Sequence, residues 1–393
     1  VGNRYYAKAY VAIALWVLTA SLAPNATGPA AAAAGTESTY VVDTGEQIDV
    51  AGMAQAEDFI AYDDGWGLRL AGLDGRRWAT LETAGRNPVF SPDGTRIAYR
   101  VNSLMPTDVS QAPNTGAVGW FGARWDLYIM KVDGSRKIRL SDGEHDAAFN
   151  SFSPDSRRIA YTQAEGDKRA VYVVNVDGTG RARLVDADGS NYDAAFSYDG
   201  GRVAFTMEEG GQGEIYVISL DGGELARITV NKRDDTGPVW SPDGTKIAFY
   251  SRRGDGRGVY VINAGGTGER CLVRGGETPE VFSFTRDGSA VLFNLDEFPI
   301  RLCVVKLDGS DVKVVDDLVN SGPTLSPDGG TITYTSEWAG EYQLYLYSLF
   351  PGRSGEGEVL GPDGWCPCWN PSFSPRRVDG VLYDTYGKVI EEK

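Results

Sequence analysis

The carboxylates of this chain gather next to short apolar segments, where they could bind cations or, in pairs, move protons. Asp146, Asp193, Asp234 and Asp235 each come just before such a segment. Glu165, Glu208, Glu209, Asp296 and Glu297 follow others, in the company of Arg252, Arg253 and Trp338. Taken as one surface, these residues describe an acidic, aromatic-rimmed mouth suited to a cationic peptide segment or a sugar, with Asp146, Asp193 and Asp235 expected as exposed loop residues that converge there and create a negative field. For any one of them, the simpler reading is an Asp that caps a turn.

Nucleophilic and metal chemistry find less to work with. The only histidine is His145, which reads as a loop residue, and no Gly-x-Ser-x-Gly elbow is present. Asp186, Asp188 and Asp193 resemble part of a calcium loop but lack the spaced series and terminal Glu of an EF-hand, so Ca2+ is an alternative to a plain polar turn there. Cys366 and Cys368, one residue apart between Trp365 and Trp369, read as an oxidised pair rather than a soft-metal site, since no third Cys or His is near in sequence. Cys271 and Cys303 fall in strand-like segments and read as small buried hydrophobes. No cofactor is identified.

What must position these residues is a repeat. A Ser-Pro-Asp-Gly-like turn begins at Ser91, Ser153, Ser197, Ser241, Thr285 and Ser326, and six residues later a short apolar strand begins. A degenerate copy at Ser374 leads into Val381-Leu382-Tyr383. Pro fixes φ, Asp caps and Gly takes the positive-φ position, which makes each turn a tight hairpin connection. Before each turn stands a bulky side chain: Phe90, Phe152, Phe196, Trp240, Phe284, Leu325 or Phe373. The intervals between turns are 62, 44, 44, 44, 41 and 48 residues, the length of a four-stranded propeller blade.

The reading is therefore an all-β propeller occupying residues 39–393 as one domain, with seven blades favoured over six or eight and an insertion near residues 101–124 that carries Trp120 and Phe121. The segments at Phe59, Leu68 and Trp78 look like strands B, C and D without an A strand, and Pro371-Ser372-Phe373 looks like the missing A strand. The two ends are thus expected to share a blade and close the ring, which removes open sheet edges. Val381-Leu382-Tyr383 is a second candidate for strand B. In such a ring strand A lines the channel, the Ser-Pro-Asp-Gly and Asp-Gly turns share one face, and the variable loops, including the insertion and all the carboxylates above, share the other.

Residues 1–38 read differently. Arg4 and Lys8 precede the apolar run from Ala9 to Ala23, followed by Pro24 and an Ala-rich stretch, the pattern of a secretory signal or, less simply, an N-terminal anchor. The setting expected is periplasmic or extracellular, with membrane contact only through an uncleaved N-terminus. The net charge of −16 argues against nucleic acid and anionic lipid partners.

The repeat, as written in Pro238 to Gly244, Ile247 to Phe249 and Val173 to Gly178, resembles that of TolB-type propellers, and also that of the propeller domains of prolyl-oligopeptidase-like peptidases. The resemblance runs from about Phe59 to Tyr383. It implies a propeller in a periplasmic setting that binds protein partners. TolB proteins carry an additional α/β domain, for which the stretch between Thr36 and Phe59 is too short, and no hydrolase domain is recognised. A non-catalytic protein-binding scaffold is the expectation, with binding or hydrolysis of a carbohydrate or peptide at the acidic mouth as the alternative.

Overall fold

The structure is a computed structural model. It describes residues 46–47, 59–63, 67–72, 77–82, 85–103, 124–185, 189–231, 233–253, 256–275, 280–295, 301–316, 319–326, 331–338, 341–348, 358–360, 369–373, 376–378 and 381–383. The N-terminal signal, Trp120 and Phe121 of the insertion, Asp186, Asp188, Asp296, Glu297, Cys366 and Cys368 lie outside the described residues.

Among the described residues every element is a strand, and no helix is long and apolar enough to cross a membrane. Six antiparallel sheets of four strands follow one another along the chain, here blades one to six. Blade one begins at Gly85–Phe90, blade two at Ala147–Phe152, blade three at Ser190–Phe196, blade four at Asp235–Trp240, blade five at Val281–Phe284 and blade six at Val319–Leu325. A further sheet holds both ends of the chain. Trp369–Phe373 pairs with Phe59–Asp63 in the register Ile60 to Phe373, Ala61 to Ser372, and Leu68–Gly72 and Arg77–Glu82 complete the order outward. Glu46–Gln47 adds to the outer edge in parallel. This sheet packs on both blade one and blade six, so the ring closes through it. Val381–Tyr383, the second candidate for strand B, instead forms a separate hairpin with Arg376–Val378.

The second strand of each blade explains how the sheets stack. Its apolar run is continuous because a blade is covered on both faces. In Lys246–Arg253, Ile247, Ala248 and Phe249 are all fully buried, but they face opposite ways. Ile247 and Phe249 pack with Ala204, Ile215 and Val217 of blade three, whereas Ala248 packs with Val291 and Phe293 of blade five. One blade further back, Val203 and Phe205 pack on Ala160 and Val171. A small Ala between two large residues thus leaves room for the next blade's aromatic ring, so that successive sheets interdigitate.

Each Ser-Pro-Asp-Gly turn is closed by side chains. Ser241 Oγ donates to Asp243 Oδ1 at 2.6 Å and accepts the Lys246 N–H at 2.9 Å, while Gly244, at φ 67°, donates its N–H to Ser241 O at 2.9 Å. The same set recurs at Ser91, Ser153 and Ser197. The innermost strands share a second device. In blades one, three and four a bulge holds one residue at positive φ three positions before the bulky residue, namely Asn87, Asp193 and Gly237. Asn, Asp and Gly are the residue types that tolerate this conformation.

Candidate recognition face

Most of the candidate carboxylates that the structure describes stand at strand ends away from the Ser-Pro-Asp-Gly turns, and Asp146, Glu165, Asp234 and Asp235 are each paired with an arginine. Asp146, just before the innermost strand of blade two, accepts the Trp125 N–H of blade one at 3.1 Å through Oδ1. Its Oδ2 lies 3.1 Å from Arg169 Nη2, and Arg100 Nη2 stands 3.7 Å from Oδ1. Asp234 repeats the arrangement at the seam between blades three and four: its Oδ1 accepts the Gly213 N–H at 3.2 Å and Arg252 stands 3.6 Å away. Both aspartates latch one blade to the next, and both charges are compensated on the spot.

Asp235 departs further from an exposed loop residue. It is the first residue of its strand and is fully buried. Oδ2 accepts from Arg253 Nη2 at 2.7 Å and from Asn231 Nδ2 at 2.6 Å, and Oδ1 accepts from the Ser251 hydroxyl. Arg253, the other candidate here, also pairs with Glu269 and lies over the Tyr260 ring at 5.0 Å. In blade three Asn191 and Met207 hold the places of Asp235 and Ser251, which leaves Asn191 Oδ1 buried with no donor among the described residues.

Asp193 also lies within a strand rather than before one, because the innermost strand of blade three begins at Ser190. It sits at the bulge, at φ 57°. Gly237 of blade four donates its N–H to Thr206 Oγ1 of blade three at 3.2 Å, and both groups act on the Asp193 carboxylate, as do Glu280 of blade five and Arg169 of blade two. Asp193 is half-buried, as befits a group lining a channel. Desolvation and then the Glu280 charge push its pKa up to about 6, against the pull of Gly237, Arg169 and Thr206. Glu280 keeps water-exposed surface, and partial enclosure raises its pKa as well. Groups from four successive blades therefore meet around one carboxylate.

Beyond these, Glu165 accepts from Tyr172 and pairs with Arg183 at 3.1 Å, and Glu208 receives the Tyr192 hydroxyl at 3.4 Å. Trp338 ends the second strand of blade six. His145 does meet a carboxylate: its Nδ1 is 2.9 Å from Asp142 Oδ2, which also accepts from Gln163 at 2.7 Å. Burial would raise the Asp142 pKa, but the Glu144 and His145 N–H groups and the His145 ring outweigh it and bring it to about 2. Among the described residues no three His, Cys, Asp or Glu side chains group as a metal site.

The residues that the sequence reading did not single out are Arg169, Thr206 and Glu280. Glu280 had a signal, since like Asp146 it immediately precedes an innermost strand. Arg169 and Thr206 had none, as each belongs to a strand and meets a partner more than twenty residues away.

Stacked four-stranded sheets closed by their two termini define a β-propeller. The chain matches the TolB beta propeller domain family over residues 115–373, and it belongs to that family. Among solved structures it is similar to TolB from Acinetobacter baumannii, with 17% identity, a TM-score of 0.52, and 86% of this chain and 89% of that one covered. An oligogalacturonate lyase in complex with manganese gives 17% identity, a TM-score of 0.53, and coverage of 82% and 86%. A puromycin-hydrolyzing peptidase of Mycobacterium tuberculosis gives 14% identity and a TM-score of 0.51, covering 71% of this chain but 47% of that one. These likenesses are of fold, shared by binding proteins and enzymes alike. A comparison with curated protein sequences finds no match.

Proposed function

We propose that the protein is a non-catalytic, periplasmic or secreted scaffold that binds a protein partner through its variable loop face, with a cationic side chain of the partner placed at Asp193. The observation that carries this reading is that charges from blades two and five, Arg169 and Glu280, both act on Asp193 of blade three, with Glu280 the stronger of the two. Asp146, Asp234 and Asp235 are occupied by their own arginines and act as the frame. Only Asp193, among these four, has a second carboxylate rather than a salt-bridged arginine as its leading charged neighbour. A cation entering there relieves the repulsion between the two and restores the ionised form of Asp193. The apolar signal-like N-terminus supports an exported protein, as does membership of the TolB propeller family.

The same pair supports the second reading. A carboxyl whose pKa is raised to about 6, close to another acid, is suited to proton transfer on a sugar or peptide. The two readings part in one experiment: pull-down from a native envelope extract with the parent protein and with Asp193→Asn/Glu280→Gln. Under the scaffold reading a protein is retained by the parent and lost by the double variant. Retention by both, or a cross-link that maps to the Ser-Pro-Asp-Gly face, removes the mouth as the site.

A further inference from the structure

On the opposite face, two successive seams are sealed by an arginine in the same way. Arg158 of blade two donates from Nη2 to Gly200 O of blade three at 3.1 Å, and its guanidinium lies over the Phe196 ring at 5.6 Å. Arg202 of blade three donates to Gly244 O of blade four at 3.0 Å and lies over Trp240 at 4.5 Å, with Asp199 of its own turn 3.7 Å away. The seat has three walls: the glycine carbonyl of the next turn, the aromatic ring before that turn, and the aspartate of the arginine's own turn.

At the seam between blades four and five the same residue types stand in register, as Gly288, Phe284 and Asp243, and of these Gly288 and Asp243 line the space between the turns. The occupant differs. Lys246 holds the register of Arg158 and Arg202, and its Nζ turns back to donate to Asn263 Oδ1 of its own blade at 3.1 Å. An ammonium lacks the planar fork that lets a guanidinium bond a carbonyl and stack on a ring at once. The seam is left with a cleft of about 330 Å³, lined among others by Pro242, Asp243, Lys246, Arg286, Asp287 and Leu307. That volume is in the range of small-molecule sites.

We propose that this cleft is a docking site for an arginine side chain of a peptide partner, whose guanidinium takes the place that Arg158 and Arg202 take at their own seams. It is a site on the turn face, separate from the channel mouth and independent of what binds there. Two anions, Asp243 and Asp287, line the cleft beside the cations Lys246 and Arg286, and an incoming guanidinium is to take the place of Lys246 against them. Asp243 is held ionised by hydrogen bonds from Ser241 and Thr245, and Asp287 by those from Ser289 and Thr285, so neither can move or take up a proton near neutral pH. Lys246, by contrast, is on a flexible stem and can swing aside.

The test is calorimetric titration of the full chain with N-acetyl-arginine amide, beside N-acetyl-lysine amide and inorganic phosphate. Saturable binding of the arginine amide is expected, at least about tenfold tighter than the lysine amide. Lys246→Arg, which supplies the seat's own guanidinium, should weaken it by at least about tenfold while the melting temperature holds or rises. Lys246→Ala removes the competing ammonium and should strengthen it. No saturable binding, equal affinity for the lysine amide, or indifference to Lys246→Arg would overturn the proposal. So would phosphate binding that disappears in Lys246→Ala, which would make the cleft an anion site.

Discussion

Trp240 and Arg202 form the best-defined seam contact of the ring and allow a worked prediction. Trp240 is 2% exposed, and its Nε1–H donates to Ala195 O of blade three at 3.1 Å. Trp240→Ala removes a large buried ring, for which about 3–5 kcal/mol is usual, and orphans the Ala195 carbonyl, which adds about 1 kcal/mol. Arg202→Ala loses the charge-assisted bond to Gly244 O, about 1.5 kcal/mol, and the stacking on Trp240, about 1 kcal/mol. The ion pair with Asp199, whose side chain is 63% exposed, adds next to nothing. Because the stacking is lost in either single variant, the double variant should lose about 1 kcal/mol less than the singles taken together. Equilibrium urea unfolding at unchanged slope reads these values. A loss below about 1 kcal/mol for Trp240→Ala would show that the ring is not buried at the seam. A cycle that closes within about 0.3 kcal/mol would show that guanidinium and indole do not interact in solution.

Asp193→Asn should stabilise the fold at pH 8 and leave it unchanged near pH 3: with a folded pKa of about 6 against a usual 3.8, the folded state holds the proton more tightly, so the group's stability falls as pH rises between these values. Asn at this bulge is tolerated, since Asn87 has φ 54° in the same place in blade one; equal melting of parent and variant at pH 8 would contradict the raised pKa. Asp142, lowered to about 2, has the opposite sign. Its contribution is complete above about pH 3.8 and is lost as pH falls through about 2, so the stability gap between parent and Asp142→Asn should close over that window in an acid titration. Asp235→Ala leaves Arg253 without its buried partner and should lose about 3–5 kcal/mol, whereas a loss under about 1 kcal/mol would mean that the pair is solvated. Deleting residues 371–393 takes most of the closing strand from Phe59–Asp63 and should give a protein that melts early or aggregates; a deletion variant as stable as the parent would refute closure by this pairing.

The repeat was legible because it is local. Turn, bulky residue and apolar run recur within some twelve residues, and ring closure followed from strands left over at the two ends. The strand that Ser190 opens was not legible in extent, and so Asp193 was placed in a loop instead of at a bulge. Charge pairing was the larger gap. Arg169 meets Asp146 and Arg253 meets Asp235 across 23 and 18 residues, distances fixed by how a hairpin end leans back over the start of its own blade's innermost strand. No spacing rule gives that lean. The expected exposure of Asp235 fails for this reason, and so would a charge reversal there that is meant to leave melting unchanged. The exchange of arginine for Lys246 was visible in the repeat register throughout, but acquires meaning only once Arg158 and Arg202 are seen to bridge seams.

With the acids near the mouth compensated by arginine, part of the chain's negative charge falls on the turns. Asp133, Asp177 and Asp308 cap the turns that follow third strands, as Asp199, Asp243 and Asp287 cap those before second strands. Hydrogen bonds from Ser, Thr or backbone groups keep each of them below the usual carboxylate pKa. The two faces therefore attract cations differently. The turn face offers many exposed charges, whose joint field is screened over about 8–10 Å at moderate salt, and the mouth offers one half-buried carboxylate, whose close contacts salt screens less. Raising ionic strength should thus weaken an arginine ligand at the Lys246 seam much more than a cationic segment at Asp193. If the mouth's partner proves the more salt-sensitive of the two, its binding comes from the surface field and not from Asp193.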